Sequence, residues 1–371
     1  MPFSSNQGGE HGRGFEPEEA AIKIARRGFL QLTAAAAALP AAGWMARAQG
    51  SPPFPGTASK PAPVNMLHLG AVGISAIVLL VAERQNFFRK HGVDIQLVPV
   101  RGTRIPKPTD EHPVGHIGAP AAIMNAAGGS ELRIIASLDS GRLSNHLVVS
   151  PSIRTPQDLR GKRLGARVTG AALWIHTVLT LEQLGLDAAR DNISILPVGD
   201  PAQVMQALEE GRIDGAVLPS AQSKQLTNKG YSVLLDLSPL SIYGAQDALV
   251  VTTTFLREHP NSIEGIVAGL IEGAAFVQSA KGKSATLETI KTELMITDNA
   301  AADAGLLQLS KVIVRKPYPS AERLLNMQRI MSIVAPTAMN VKVTDLIEDR
   351  FVKKLDESGF IDAAYASVDA G

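Results

Sequence analysis

The sequence of 371 residues contains no cysteine. Disulfides, thiolate nucleophiles, cysteine-ligated metals and lipid anchors on cysteine are therefore excluded. Acidic and basic residues nearly cancel, at 35 against 36, and no basic run is interleaved with aromatic residues. This balance gives no indication of a nucleic-acid partner. Aromatic residues make up only 4% of the chain, which disfavours a sugar site that stacks its ligand on Trp or Tyr.

Two common nucleotide-binding and catalytic signatures, G-x-G-x-x-G and G-x-S-x-G, do not occur. The run KGKS at 281–284 is similar to the end of a phosphate-binding loop, but Val277 stands where that loop requires its first glycine.

Glu111, His112 and His116 could form a metal cluster. However, Pro113 and Gly115 between the histidines exclude the helix that would place His112 and His116 on one face, as a paired-histidine site requires. We expect neither a metal nor another cofactor.

The first 48 residues predict a cleavable export signal. Arg26 and Arg27 precede an alanine-rich apolar segment at 33–44, and Ala46-Arg47-Ala48 is a typical cleavage site. The apolar segment is shorter than the ~20 residues that span a bilayer, which disfavours a membrane anchor. The paired arginines resemble the twin-arginine (Tat) consensus, whose machinery exports folded proteins. A Sec signal with a chance Arg pair is the alternative. Cleavage after Ala48 would release a soluble periplasmic protein with a Pro-rich leader at 49–63.

From residue 64 onward, short β-rich runs alternate with helical patterns, which predicts an α/β fold with largely parallel sheets. The strands predicted at 116–119 and 214–218 are each followed by proline, small residues and a helix. Ligands lie outside the carboxyl ends of parallel strands, so these two ends could face each other across a cleft. Proline near a helix start is also common by chance. The other predicted strands are 64–69, 93–98, 133–136, 146–149, 161–168, 193–196, 232–237 and 248–252, and the predicted helices are 74–90, 171–184, 201–210, 221–229, 261–280, 284–294, 299–310 and 320–334.

Four motifs follow one another along the chain: FFRKHGVDI at 87–95, TPQDLRGKRLG at 155–165, LEQLG at 181–185 and ALEEGRIDGA at 207–216. Their order and spacing resemble the periplasmic solute-binding proteins of nitrate/sulfonate/taurine ABC importers. The likeness covers about 64–278. It departs from the family pattern at 111–116, where no aspartate follows Gly115, so the ligand of the family cannot simply be carried over.

The resemblance implies a type 2 periplasmic-binding-protein fold with two α/β lobes and a helical C-terminal region. Lobe one would comprise 64–147 and 249–371, lobe two 150–245, and the crossing strands 145–151 and 243–250. The lobes would close on a small-molecule ligand by hinge motion. The protein would act as a monomer, deliver its ligand to the membrane permease of an ABC importer, and have no catalytic activity.

The resemblance also implies that loops of both lobes bind the ligand. Gly170 begins a helix whose first N–H groups would suit a sulfonate, carboxylate or nitrate. Trp174 could stack on the ligand or pack in the core. Arg142 and Arg101 could supply counter-charges or simply lie on the surface. The expected ligand-binding residues are Ile74, Ser75, Ala119 and Pro120 in lobe one, Thr169, Gly170, Ala171, Trp174, Pro219 and Ser220 in lobe two, and Gln246 at the second crossing.

Two other functions remain open from the sequence. Thiamine-pyrimidine synthases share this fold, but they use a cysteine-rich patch that this chain lacks. A receptor that senses a ligand and signals through a membrane partner would have the same sequence features as a transport component.

The export signal makes a direct prediction. Changing Arg26 and Arg27 together to lysine keeps their charge but removes the Tat consensus, so precursor should accumulate in the cytoplasm. Fractionation and immunoblotting measure this, with Arg13→Lys as the control. Normal export of the double variant would contradict the Tat assignment.

Overall fold

The computed structural model describes residues 61–68, 74–100, 106–244 and 246–369. The export signal, most of the Pro-rich leader and Arg101 lie outside these residues. Within the described chain, no single helix is long and apolar enough to span a membrane.

The first sheet has five strands in the order β2-β1-β3-β10-β4. Strands β1 to β4 run parallel to one another, whereas β10 returns from the second half of the chain and pairs antiparallel between β3 and β4. The strands are β1 (Ala62–His68), β2 (Val93–Pro99), β3 (Val114–Gly118), β4 (Leu132–Ser137) and β10 (Asp247–Thr252).

The second sheet repeats this arrangement in the order β7-β6-β8-β5-β9. Here β5 is the antiparallel strand, between β8 and β9. The prediction of largely parallel sheets therefore holds for four strands in each sheet and fails for β5 and β10, the strands that enter from the other sheet. The strands are β5 (His146–Val149), β6 (Arg163–Ala166), β7 (Ser194–Pro197), β8 (Gly215–Leu218) and β9 (Ser232–Asp236).

Helices cover the sheets and connect most of the parallel strands. The first and second halves contribute α1 (Ala76–Arg84), α2 (Phe87–Lys90), α3 (Ala119–Ala127), α4 (Ala172–Gln183), α5 (Pro201–Glu209) and α6 (Ser220–Asn228). The C-terminal region adds α7 (Thr253–Glu258), α8 (Pro260–Gln278), α9 (Lys283–Glu293), α10 (Asn299–Val312), α11 (Ala321–Met331), α12 (Arg350–Glu357) and α13 (Phe360–Asp369). Short 3₁₀ helices lie at Pro156–Leu159, Pro336–Asn340 and Val343–Leu346.

The chain passes between the sheets at 138–145 and again at 237–246. The crossings expected at 145–151 and 243–250 overlap with β5 and β10, which pair fully within their sheets. The connections themselves therefore precede these strands. The division of the chain into two lobes at the expected boundaries stays a prediction.

The single helix predicted at 74–90 is two helices. Asn86 has a φ of 59°, in the left-handed region, and separates α1 from α2. Asn tolerates this conformation better than most residues because its short side chain bonds locally. The apolar periodicity continues across the break, which is why the pattern alone did not reveal it.

Helix α8 approaches α1 and α2 through a stripe of glycines at every fourth position. A Cβ added at Gly269 would lie 2.5 Å from Phe88 Cδ1 and 3.0 Å from the backbone nitrogen of Phe88, and one at Gly273 would lie 2.6 Å from Ala82 Cβ. Gly265 is similarly close to the carbonyl oxygen of His91. Glycine costs about 1 kcal/mol of helix propensity relative to alanine, so close packing of the helices explains its use here.

This packing can be tested with two matched glycines. Gly269→Ala should be less stable than Gly305→Ala by about 1–3 kcal/mol, because a methyl group at 269 overpacks the helix contact. At Gly305 of α10 the nearest atoms to an added Cβ lie at 3.4 Å, and both variants gain the same helix propensity. Urea unfolding measures the difference. Equal stabilities would show that α8 does not need the glycine stripe.

Candidate functional site

A cavity of about 100 Å³ lies between the two sheets, at the carboxyl ends of their parallel strands. A buried water needs about 10–15 Å³ by this measure, so the space suits a small organic molecule. Residues from both sheets and from α10 form its wall. The lining residues are Ile74, Ser75, Pro106, His116, Gly118, Pro120, Ala121, Asp139, Gly141, Arg142, Ser144, Asn145, Arg167, Val168, Ala171, Ala172, Leu173, His176, Pro219, Asp247, Gln308 and Val312.

Two carboxyl groups form one wall of this cavity. Asp139 follows β4 and Asp247 begins β10, and the antiparallel pairing of β10 with β4 brings them together. Asp139 Oδ1 accepts a hydrogen bond from the Gly141 backbone N–H at 2.8 Å, and its Oδ2 accepts one from the Asp247 N–H at 3.3 Å. The Ser75 hydroxyl donates to Asp247 Oδ2 at 2.5 Å.

The two carboxyl groups differ in charge. Burial, together with the charge of Asp247, raises the pKa of Asp139 to about 7. Burial also opposes ionisation of Asp247, but the neighbouring His116 and the Ser75 hydroxyl outweigh it, so the pKa of Asp247 lies below its usual value. Near neutral pH, Asp247 therefore carries the negative charge and Asp139 is partly protonated.

Two buried histidines stand behind the carboxyl groups. His116 Nε2 lies 3.8 Å from Asp247 Oδ2, and the Nδ1 atoms of His116 and His68 are 3.1 Å apart. Burial and the adjacent His116 lower the pKa of His68 to about 3, so His68 is neutral at physiological pH. Ser75 donates its proton to a carboxylate and not to an imidazole, so these residues do not have the geometry of a Ser-His-Asp triad.

Arg167 is on the opposite side, directly after β6, and its side chain is only 4% exposed. Its Nε donates to Asp200 Oδ1 at 2.7 Å, at the start of α5. Its Nη2 is buried and has no hydrogen-bond partner among the described residues. Arg142 also lines the cavity, but it is exposed and its Nη2 donates to the carbonyl oxygen of Ser238 at 3.3 Å. The part of the chain that the structure describes holds no group of three or more His, Asp or Glu side chains placed to bind a metal ion.

Five of the expected ligand-binding residues line the cavity. Ile74 and Ser75 precede α1, Pro120 lies in the first turn of α3, Ala171 precedes α4 and Pro219 precedes α6. The N–H of Ala171 is donated to the carbonyl oxygen of Val168 at 3.1 Å. The N–H of Ala171 is therefore not free for a ligand, and the next two residues of the chain, Ala172 and Leu173 of α4, also line the wall.

The other six expected residues do not line it. Ala119 is buried and Gln246 donates from Nε2 to the carbonyl oxygen of Asp139. Thr169 is exposed, and Gly170 faces Val334. Trp174 packs in a hydrophobic cluster that also contains Ile123 of α3, Leu147 of β5 and Met327 of α11, because the face of α4 that carries it is turned to the core. Ser220 is bound to Ser144 and Gln308.

The sequence reasoning named Arg142 as a possible counter-charge but missed Asp139, Asp247 and Arg167. Asp139 and Arg167 each lie within two positions of a strand end, which is a usable signal, because side chains that follow parallel strands point to the ligand edge. Asp247 follows a crossing, and its position depends on the antiparallel pairing of β10. Gln308 is in the middle of α10, where no local pattern distinguishes it.

The raised pKa of Asp139 predicts a pH dependence of stability. The folded state binds more protons than the unfolded state between about pH 4 and 7, so the contribution of Asp139 falls as pH rises through this range. Relative to the wild type, Asp139→Asn should gain on the order of 2 kcal/mol in the free energy of unfolding between pH 5 and pH 8. Urea unfolding at both pH values measures this, with the exposed Asp110→Asn as the control. Parallel pH profiles of wild type and Asp139→Asn would contradict the prediction.

Solved structures share this fold at low sequence identity. The alkanesulfonate-binding protein SsuA from Xanthomonas axonopodis pv. citri, bound to MOPS, matches with a TM-score of 0.62 and 16% identity over 79% of this chain and 100% of that protein. A putative periplasmic sulfonate-binding protein SsuA from Methylobacillus flagellatus KT matches with a TM-score of 0.61 and 17% identity, over 81% and 95%. The periplasmic nitrate-binding protein NrtA from Synechocystis PCC 6803 matches with a TM-score of 0.59 and 12% identity, over 81% and 89%.

These structures confirm the predicted fold class, a two-sheet α/β periplasmic-binding-protein fold. A comparison with curated protein sequences found no significant match. The model of the NMT1/THI5-like family matches residues 74–281, which is more than half of the sequence. The chain therefore belongs to the NMT1/THI5-like family.

Proposed function

We propose that the protein is the extracytoplasmic solute-binding component of an ABC importer and that it captures a small anionic ligand. The observation that carries this proposal is the cavity between the sheets, since both sheets and a C-terminal helix supply its wall. The fold, shared with sulfonate- and nitrate-binding proteins, supports the same function. The predicted export signal is consistent with a periplasmic location reached through the Tat machinery.

The cavity wall includes the first connection between the sheets, which couples binding to closure. Asp139, Gly141, Arg142, Ser144 and Asn145 all belong to the first connection. A change in the angle between the sheets moves these residues relative to the ends of β6 and β8. A ligand that contacts both sides therefore stabilises one arrangement of the lobes.

Contacts around Gln308 link three elements that surround the cavity. Its Nε2 donates to Ser144 Oγ at 2.9 Å, and its Oε1 accepts from the Ser220 N–H at 2.8 Å. Helix α10 thereby ties the first connection to the N-terminus of α6. Release of a ligand requires these bonds to open, and the membrane permease is the partner that would recognise the closed form.

The arrangement favours binding over catalysis. The Ser75 hydroxyl donates to the Asp247 carboxylate, and His68, which lies behind the two carboxyl groups, is neutral and buried. A serine in this state is not activated as a nucleophile. We accordingly propose that the protein has no enzymatic activity. We also propose that it acts as a monomer.

Thermal unfolding of the chain from Gln49 onward tests the proposal. The panel comprises alkanesulfonates, nitrate, carboxylates, amino acids and thiamine pyrimidines. A ligand present at 100 times its Kd adds about 2.7 kcal/mol to the stability of the folded state, so a specific ligand should raise the Tm.

A matched pair of variants shows where that ligand binds. Ala172→Trp fills the cavity and should abolish the rise in Tm. Ala202→Trp, at an exposed position in the first turn of α5, should preserve it. A panel with no stabilising compound, or an undiminished effect in Ala172→Trp, would contradict the proposed function.

A further inference from the structure

Arg167 is a buried cation in the cavity wall with one N–H group unpaired among the described residues. Its guanidinium is almost fully buried, and its Nη2 has no hydrogen-bond partner among the described residues. A buried cationic N–H without a partner is costly, and buried polar groups are nearly always paired. Because Arg167 lines the cavity, an anionic group of a ligand would provide the partner.

Asp200 holds this guanidinium in place but leaves its Nη2 free to bind another group. The Nε–Oδ1 bond of 2.7 Å engages one N–H group, and Asp200 is itself held by Gln203, whose Oε1 accepts from the Asp200 backbone N–H at 2.8 Å. Asp200 is 44% exposed, so water screens part of its charge. The guanidinium is therefore oriented in advance, which reduces the entropy that a ligand must overcome.

The remaining wall sets the orientation and the class of the ligand. Asp247 carries its negative charge on the side of the first sheet and would repel an anion placed there. The wall also contains apolar side chains, among them Ile74, Pro120, Leu173 and Val312. A fully hydrated inorganic anion gains little from such a surface, whereas an organic anion buries its apolar body against it.

We propose that Arg167 binds the anionic group of the ligand through Nη2, and that the ligand is a small organic monoanion whose apolar body points toward the first sheet. This proposal rests on the proposed function, and it assigns the specificity for charge to a residue of the second sheet. A side chain, and not the helix N–H groups expected from the sequence, thus recognises the charge of the ligand.

Calorimetric titration of the full chain tests the assignment with two matched pairs of probes. Propanesulfonate and butanoate carry the charge, and propanesulfonamide and butanamide are their neutral counterparts of similar shape. The wild type should bind the anions more tightly than the neutral compounds. Arg167→Gln should weaken anion binding about 10- to 100-fold, the range for one charge-assisted hydrogen bond, and leave the amides within about twofold.

Arg212→Gln is the control, because Arg212 also donates from Nε to a carboxylate, Glu210, but is exposed and does not line the cavity. It should change the affinity for the anions less than about threefold. Thermal unfolding of each variant verifies that it is folded. Equal anion affinities in wild type and Arg167→Gln, or equal affinity of the wild type for an anion and its amide, would overturn the proposal.

Diffraction from crystals soaked in sodium bromide separates this proposal from the proposed function, because it needs no knowledge of the natural ligand. An anomalous peak beside Arg167 Nη2 in the wild type, absent in Arg167→Gln, supports the anion site even if no solute binds. Bromide bound elsewhere on the protein but absent from the cavity would refute the anion site. In that case, binding of a neutral solute would leave the transport function intact.

Discussion

The antiparallel return of β10 into the first sheet is the constraint on which the site depends. Because β10 runs opposite to β3 and β4, its first residue lies at their carboxyl ends, where Asp247 pairs with Gly118 and accepts from the N–H of Leu138. Strand β5 enters the second sheet in the same way, with His146 beside Leu218. Both connections between the sheets are thus at the edge where ligands bind in parallel α/β structures.

This topology also explains the distribution of charge. Asp139 and Asp247 lie on neighbouring strands of one sheet, and their proximity in a dry environment lets only one of them ionise fully at neutral pH. Arg167 belongs to the other sheet, and its counter-ion Asp200 comes from a helix of that sheet. The cavity therefore has an acidic side and a basic side because each is built on a different sheet.

Much of the fold could be predicted from the sequence, because local rules determine it. The second half illustrates this: Pro201 and Gly211 bound a helix observed at Pro201–Glu209, and Gly185 follows one that ends at Gln183. The four motifs then implied the family, which the family match confirms. The break at Asn86 was missed because the apolar pattern continues through it.

The site was harder to predict, since the contents of the cavity depend on which face of each element is turned inward. Trp174 and Leu173 are neighbours on α4, yet Leu173 lines the cavity and Trp174 lies in the core. Pro120 and Pro219 were recognised because they occupy equivalent places after β3 and β8. Arg167 could not be ranked above Arg142 from the sequence, because only burial distinguishes a guanidinium that needs a partner from one that water satisfies.

The bonds of Gln308 form between parts of the polypeptide itself, and this has a consequence for the thermodynamics of capture. In the proposed mechanism, closure is a conformational equilibrium whose midpoint the protein sets, and the ligand only adds its own free energy to it. The observed affinity is the intrinsic affinity of the closed form multiplied by the fraction of molecules already closed. Changes along α10 can therefore tune how tightly the protein holds its cargo, independently of which cargo it selects.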